Sequence, residues 1–237
     1  DGKTAKNISK LIKPDLRHRI RVDGSLKPAA PRLQSKQTVP SQITALIEGR
    51  KIFTIVSSHF EDEQFAINSF KKIPKRIRPI LLIIPRHIER TEIIRDQCTK
   101  ADLQCTILSE LNEITPISDV YVSNQIGAPA IWLPLTNIAL IGGTYCNVNG
   151  HNPWEPIQFG AAVLHGSKTA NFAEDFKDLL ASESSTEILE TDEMAKLITQ
   201  TNFDQQIKNA SLLLQKKLTA IKDLSNDILL LLSSKPI

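Results

Sequence analysis

Two adjacent glycines, Gly142 and Gly143, follow an apolar stretch and precede a polar loop that leads into a helix start. Glycine lets the backbone turn sharply and approach a ligand closely. After the loop, Asn152 is typical of an N-cap, Pro153 fits the first helical position, and Glu155 has capping-box spacing. A helix N-terminus offers unpaired N–H groups and a partial positive charge. The stretch therefore predicts a site for a phosphate or a sugar hydroxyl.

Three other polar segments each follow an apolar stretch: Ser57-Ser58-His59, Pro85-Arg86-His87 and Gln125-Ile126-Gly127. If these apolar stretches are parallel strands, their carboxyl ends meet at one edge of a sheet, where such sheets bind ligands. We therefore expect these loops and the loop from Gly143 to Glu155 to converge on one cleft.

Arg86 and Glu155 each allow two interpretations. The guanidinium of Arg86 could donate two hydrogen bonds to a phosphate or a base, or it could be a surface group paired with Glu89 or Glu92. Glu155 could serve a ligand, cap its own helix, or do both. Gly150 is most simply a turn residue.

Three histidines, His59, His87 and His151, lie on neighbouring loops of the predicted cleft. Neither an H-x-x-H pattern nor a suitably spaced carboxylate accompanies them, and a lone histidine more often bonds a loop carbonyl than a ligand. We therefore predict no metal site and no cofactor.

The composition is that of an ordinary globular chain. Its 237 residues are 41% hydrophobic, enough for one large or two small domains. A net charge of +3 suits an anionic nucleotide or a membrane surface but is too weak to indicate nucleic acid, and two tryptophans with two tyrosines leave little surface for base stacking. Cys98, Cys105 and Cys146 form no C-x-x-C pair, so we expect reduced thiols.

Strands are predicted at 51–57, 79–84, 104–108, 119–123, 137–141 and 162–165, between helices at 41–48, 61–72, 89–99, from 126, from 153, 172–180, 192–201 and 203–232. This alternation predicts an α/β fold, a Rossmann-like parallel sheet with helices on both faces. A helix at 4–13 and a short strand at 20–22 come earlier. The Pro-, Ser- and Gln-rich residues 28–40 are typical of a linker, which predicts a domain boundary there.

The chain opens with Asp rather than Met. Its longest aliphatic run, residues 228–232, is far shorter than the ~20 residues that span a bilayer. We interpret the chain as a fragment or processed portion of a longer protein and predict no membrane-spanning segment in it.

Several motifs resemble those of the 3-deoxy-D-manno-octulosonic acid (Kdo) transferases, which build the inner core of lipopolysaccharide. The most specific are Gly150-His151-Asn152-Pro153-Trp154-Glu155-Pro156 and Pro85-Arg86-His87-Ile88-Glu89-Arg90. Further motifs agree in order and spacing: Gly24-Ser25-Leu26-Lys27, Ser57-Ser58-His59, Gly142-Gly143 and Asn171-Phe172. The resemblance spans nearly the whole chain, but only the carboxyl-terminal half of that two-domain family.

The resemblance implies the carboxyl-terminal half of a GT-B glycosyltransferase that moves Kdo from CMP-Kdo to a lipid A precursor. In the family, the Asn and Glu of the first motif hold the nucleotide, and a carboxylate can accept both O–H groups of a ribose diol. The implied CMP-Kdo-binding residues are Ser58, His59, Pro85, Arg86, Ile126, Gly127, Ala128, Gly150, Asn152, Pro153, Trp154 and Glu155.

The family's general base is an acidic residue of the amino-terminal domain, which also serves the acceptor. The resemblance therefore implies no catalytic residue in this chain, and binding without turnover. Residues 1–27 are expected to be a remnant of that domain, 28–40 the linker and 41–237 the nucleotide-sugar-binding domain. The family also implies the cytoplasmic face of the inner membrane, with peripheral membrane contact allowed by a basic stretch at residues 71–78.

One motif departs from the family. Where Kdo transferases usually carry Asp-Thr-Met-Gly-Glu-Leu, this chain has Asn124-Gln125-Ile126-Gly127-Ala128-Pro129. Ala128 removes a carboxylate from the expected nucleotide pocket, so altered donor binding is one expectation. Two alternatives follow: a degenerate, non-catalytic nucleotide-binding module, or a GT-B enzyme for another activated sugar.

Overall fold

The computed structural model describes residues 2–35, 49–109 and 118–233. Its strands are β1 (Ile52–Ser58), β2 (Ile80–Pro85), β3 (Cys105–Leu108), β4 (Val120–Ser123), β5 (Ile138–Ile141), β6 (Ala162–His165) and β7 (Thr186–Glu187). They form one parallel sheet in the order β3-β4-β2-β1-β5-β6-β7.

The central strands are continuous apolar runs because both of their faces are covered. Every residue of β2 and of β5 is buried. A parallel strand between two layers of helices has no face for water, so it needs apolar side chains at successive positions rather than at alternate ones.

The helices are α1 (Gly2–Leu11), α2 (Phe60–Lys71), α3 (Thr91–Lys100), α4 (Ala128–Trp132), α5 (Trp154–Gln158), α6 (Ala173–Ala181), α7 (Thr191–Gln200) and α8 (Asp204–Ser233). One face of the sheet packs against α2 and α7 through Phe70 and Met194. The other face packs against α4, α5 and α6 through Trp132, Trp154 and Phe176. The predicted parallel sheet with helices on both faces is confirmed.

Some predicted elements differ from those observed. Residues 20–22 form no strand, because this segment lies away from the sheet, where Arg21 pairs with Asp227 of α8 at 2.9 Å. The two-residue strand β7 was not predicted, since two residues show no periodicity. The helix predicted at 41–48 lies outside the described residues.

The segment that precedes β1 contacts α5 on one face of the sheet. The Gln158 side chain donates hydrogen bonds to the carbonyls of Pro28 and Ala30, at 3.2 and 2.9 Å. Near the end of α8, leucines 229–232 are each 61–69% exposed. No helix in the described part of the chain combines the length and apolar character needed to cross a membrane.

The strand order places a crevice at the centre of the sheet. The chain leaves β1 toward β2 on one side and reaches β5 on the other, so β1 and β5 are neighbours whose following loops diverge. Ligands of open α/β sheets bind at such a switch point, outside the carboxyl ends of the strands.

Candidate functional site

A cleft of about 510 Å³ opens at the carboxyl ends of the strands, next to this switch point. The end of β1 and the loops after β2, β4 and β5 all contribute to it. Its lining residues are Leu33, Gln34, Val56, Ser57, Arg86, Gly127, Pro129, Ala130, His151, Asn152, Glu155 and Phe172. Of the twelve predicted site residues, Arg86, Gly127, Asn152 and Glu155 therefore line the cleft itself.

Arg86 stands at the end of β2 with an exposed side chain. Its backbone N–H donates to the Ser58 carbonyl at 3.0 Å, which fixes the residue between β1 and β2. The neighbouring acids are engaged elsewhere, since Glu92 pairs with Arg95 and Glu89 faces His87 at 3.6 Å. Among the described residues no carboxylate pairs with Arg86, so its guanidinium can serve an anion in the cleft.

Asn152 and Glu155 interact with each other and with the start of α5. Asn152 Oδ1 accepts the Trp154 N–H at 3.1 Å, and Asn152 Nδ2 donates to Glu155 Oε1 at 3.1 Å. The helix begins at Trp154, so Pro153 is its cap and Glu155 is its second residue. The predicted capping box is therefore wrong: Glu155 accepts the side-chain amide of Asn152 instead of its backbone N–H.

This cap changes what the helix offers a ligand. The Trp154 N–H is already donated to Asn152, and α5 has only five residues, so little macrodipole remains for an anion. From the start of α5, the polar groups available to the cleft are instead the side chains of two lining residues, Asn152 and Glu155.

Two histidines join neighbouring loops beside the cleft. His59 Nε2 and His151 Nε2 are 2.8 Å apart, and the His87 ring lies 6.0 Å from that of His59. Burial, with the nearby His59, lowers the pKa of His151 to about 4, and burial also lowers the pKa of His59. At neutral pH the pair is thus uncharged, one ring donating to the other. No cluster able to hold a metal ion occurs in the described part of the chain.

Two glycines are required by the course of the backbone. A Cβ on Gly142 would lie 2.1 Å from the Ser57 carbonyl oxygen, so no other residue lets the chain leave β5 this close to the end of β1. Gly150 has φ +87°, and its N–H donates to the Gly143 carbonyl at 2.8 Å. These contacts fold the β5–α5 loop back on itself and place His151 beside the cleft.

Several predicted site residues lie outside the cleft lining. Ser58 is fully buried, and its hydroxyl donates to Glu63 Oε1 at 3.0 Å. Trp154 is also fully buried, with its indole N–H donated to Asp175 at 2.9 Å. Pro85 and Pro153 are buried as well. Their side chains therefore support the loops that carry the cleft.

The loop after β4 places its residues differently from one another. Ile126 is 90% exposed, whereas Ala128 is 1% exposed and packs in the core under the loop. Between them, Gly127 has φ +81° and lines the cleft. Pro129, in the first turn of α4, also lines it.

Sequence reasoning missed some residues of the site. Leu33 and Gln34 come from the predicted linker, where no pattern indicates them. Ser57 belongs to a segment predicted to reach the cleft but was not among the predicted binding residues; it lines the cleft with φ +57° at an irregularity of the β1–β2 pairing. Asp62, buried beneath the β5–α5 loop, was signalled only by its position three residues after the helix-capping His59.

No family model matches the chain. Among curated proteins, the 3-deoxy-D-manno-octulosonic acid transferase of Rickettsia bellii (strain RML369-C) is 25% identical over 190 residues, which make up 78% of this chain and 45% of that relative. The chain is homologous to Kdo transferases over most of its length. The enzyme of the same name from Haemophilus influenzae is 29% identical over 146 residues, 61% of this chain and 34% of that enzyme. The chain thus spans less than half the length of these relatives.

Two solved structures share the fold. The C-terminal CMP-Kdo binding domain of WaaA from Acinetobacter baumannii has a TM-score of 0.64 and 20% identity, covering 75% of this chain and 96% of that domain. HepE of Anabaena, in complex with UDP and glucose, has a TM-score of 0.53 and 13% identity, covering 81% of this chain and 53% of that protein. The predicted fold is confirmed: a Rossmann-like parallel sheet of the kind found in the carboxyl-terminal domains of GT-B glycosyltransferases.

Proposed function

We propose that this chain is the donor-binding half of a glycosyltransferase that moves Kdo from CMP-Kdo to a lipid A precursor. One observation carries the proposal: Arg86, Asn152 and Glu155 line a single cleft at the carboxyl edge of the sheet. They belong to the two motifs on which the resemblance to Kdo transferases is most specific, and the curated relatives carry that name.

The roles of these residues follow from their chemistry. Arg86 carries a guanidinium without a carboxylate partner among the described residues, which suits the phosphate of CMP-Kdo. Glu155 is the one acidic residue lining the cleft in the described part of the chain. Its carboxylate, oriented by Asn152, can accept hydrogen bonds from both hydroxyls of the ribose. Gly127 lets the β4 loop approach the nucleotide closely.

The proposed reaction is a direct displacement with inversion. An acceptor hydroxyl loses its proton to a carboxylate base, its oxygen forms the bond to the anomeric carbon of Kdo, and the bond to the CMP phosphate oxygen breaks. Arg86 stabilises the negative charge that develops on the departing phosphate. The base is expected on the amino-terminal domain of the family, so this chain alone is expected to bind CMP-Kdo without turnover.

The same proposal assigns the rest of the chain. Residues 1–27 belong with the amino-terminal domain, 28–40 form the linker, and 41–237 form the donor-binding domain. Because the acceptor is a lipid precursor, the enzyme would work at the cytoplasmic face of the inner membrane. Lys71, Lys75 and Arg76 are exposed and would favour contact with anionic headgroups.

A second candidate is a GT-B domain for another activated sugar, or one that no longer supports transfer. The loop after β4 favours it, because the family's carboxylate position holds Ala128, whose methyl group is buried. HepE, which has a similar fold, was solved in complex with UDP and glucose rather than with a cytidine nucleotide.

Calorimetric titration of the purified chain with CMP, UMP and ADP separates these candidates. We expect CMP to bind more tightly than the other two nucleotides. Equal affinities would favour the second candidate, and no heat with any of the three would remove the donor-binding proposal.

A further inference from the structure

Asp62 lies in the first turn of α2 and is fully buried. Its carboxylate accepts three backbone N–H groups: Gly143 at 2.6 Å, His59 at 2.9 Å and Tyr145 at 3.1 Å. The His59 bond caps α2 itself. The other two bonds are donated by Gly143 and Tyr145 of the β5–α5 loop. They therefore join α2 to that loop and play no part in capping the helix.

The bonds to Gly143 and Tyr145 fix the position of more of that loop than these two residues. The Gly143 carbonyl accepts the Gly150 N–H at 2.8 Å, and the Gly142 carbonyl accepts the His151 N–H at 3.1 Å. The far end of the loop is thus fastened to its near end. A continuous chain of hydrogen bonds therefore runs from Asp62 to the residue that precedes Asn152.

A second contact joins the same two elements. His59, which caps α2, meets His151 ring to ring, with 2.8 Å between their Nε2 atoms. The start of α2 therefore holds the loop at both ends: Asp62 at the glycine turn and His59 at the entry to the Asn152–Glu155 segment.

Burying a carboxylate to hold the start of α2 to the β5–α5 loop carries a desolvation cost. Burial raises the pKa of Asp62, and the N–H bonds from Gly143, His59 and Tyr145 oppose that rise. Among the described residues no arginine or lysine forms an ion pair with Asp62. An apolar residue would pack α2 against the loop without this desolvation cost, but it could not accept two N–H groups at fixed positions.

We propose that Asp62 is a positioning residue that sets the β5–α5 loop so that Asn152 and Glu155 face a nucleotide opposite Arg86. This inference rests on the proposed function. It assigns Asp62 no contact with the nucleotide, since it acts only through the loop.

The first test replaces Asp62 in the purified chain with asparagine, which keeps the shape but turns an acceptor oxygen into an NH₂ group that cannot accept a backbone N–H. At a temperature where both proteins are folded, Asp62→Asn should weaken CMP binding about tenfold, the loss expected for a hydrogen bond to a charged group. Unchanged affinity in a folded variant would overturn the inference while leaving the proposed function intact.

Asp119→Asn is the matched control. The Asp119 side chain is only 10% exposed, pairs with Arg78 at 2.9 Å and accepts the Gln104 N–H at 3.2 Å, but it lies at the amino-terminal edge of the sheet. This variant should lower the melting temperature without changing CMP affinity. Equal losses of affinity in both variants would mean that any buried carboxylate matters, which would contradict a specific role for Asp62.

A double-mutant cycle tests the route of the effect. If Asp62 acts by placing Glu155, then Asp62→Asn should cost less than about threefold in CMP affinity once Glu155→Gln is already present, because the effects of residues coupled through one hydrogen-bond network are not additive. Full additivity would show that Asp62 does not act through Glu155 and would overturn the inference.

Hydrogen exchange in the unsubstituted chain covers the case in which Asp62→Asn does not fold. If the loop held by Asp62 carries the nucleotide, saturating CMP should slow exchange of the Gly143 and Tyr145 amides, since coupling between sites is reciprocal. Unchanged exchange at both amides would count against the inference. No binding of CMP by the unsubstituted chain would remove the proposed function and, with it, this role for Asp62.

Discussion

Arg78 and Arg86 stand at opposite ends of the same strand, and they have opposite environments. Arg78, just before β2, donates to Asp119 at 2.9 Å and to the Ile73 carbonyl at 3.1 Å, and its side chain is only 13% exposed. Arg86, just after β2, is exposed and lines the cleft, with no carboxylate partner among the described residues. The guanidinium of Arg78 therefore stabilises the fold, whereas that of Arg86 is available to a ligand.

The two edges of the sheet differ in the same way. At the amino-terminal edge, polar groups pair with one another: Asn137 Oδ1 accepts the Ile52 N–H at 2.8 Å, and Thr54 bonds Thr136 at 2.8 Å. At the carboxyl edge, the Asp62 carboxylate accepts backbone N–H groups without a counter-ion among the described residues, and the Ser57 backbone has φ +57°. Polar groups that serve stability are paired locally, whereas those at the cleft are positioned at an energetic cost.

Arg78→Ala should give the largest change. It removes one partner of a nearly buried ion pair and leaves Asp119 without its counter-charge, so we expect the free energy of unfolding to fall by about 3 kcal/mol. Urea unfolding measures this loss, and calorimetry should show CMP affinity unchanged. A stable variant with weakened nucleotide binding would reverse the contrast between the two arginines.

Arg86→Ala should have the converse effect. Loss of a charged hydrogen bond to a phosphate should cost about 1.5 to 3 kcal/mol of binding free energy, with the melting temperature unchanged. Arg95→Ala is the control, because Arg95 is an exposed arginine of α3, the helix that follows β2, and it pairs with Glu92. Equal affinity for CMP in both variants would remove Arg86 from the site.

The histidine pair at the cleft should make stability depend on pH. The pKa of His151 is about 4 in the folded chain and 6.5 in the unfolded chain, so between these values the unfolded state binds the proton more readily. Stability is therefore fully present above pH 6.5 and is lost as the pH falls toward 4. A shift of this size corresponds to about 3 kcal/mol for a shielded group, and partial exposure of His151 reduces it to on the order of 1 kcal/mol.

His151→Asn should flatten this dependence. We expect the variant to lose less stability than the unsubstituted chain between pH 7 and pH 5, as measured by urea unfolding at both values. Comparing the two proteins cancels the titration of carboxylates that both contain. Parallel losses in the His151→Asn variant and the unsubstituted chain would show that the histidine pair does not titrate this way.

The sheet and the position of the cleft were predictable because they depend on periodicity. The apolar runs of β1, β2 and β5 indicate strands buried on both faces, and the polar residues that follow them must then share one edge. The loops that carry Arg86, Asn152 and Glu155 could therefore be placed at one cleft, whereas the binding roles of these residues were implied only by the resemblance.

Other features depend on contacts that no local pattern encodes. Ser58 was predicted for the site, but the irregular β1–β2 pairing between Val56 and Ser58 turns Ser57 to the cleft and Ser58 inward to Glu63. Two of the three partners of Asp62, Gly143 and Tyr145, lie more than 80 positions away in the chain. The orientation of Ser58 depends on one irregularity in strand pairing, and the role of Asp62 depends on partners distant in the chain. No local sequence pattern indicates either of them.

Glu155→Gln should have little effect on stability, and it separates the contact with Asn152 from the site. Gln keeps the Oε1 atom that accepts the Asn152 amide at 3.1 Å, so this side-chain bond is preserved and the melting temperature should hardly change. A ribose diol, in contrast, loses a charged acceptor, and CMP binding should weaken by roughly 1 kcal/mol. Glu193→Gln, at an exposed first-turn glutamate of α7, is the control for removing charge near a helix start. A lower melting temperature with unchanged CMP affinity would mean that Glu155 serves only its helix, and the contrast between the two edges would then rest on Arg86 and Asp62 alone.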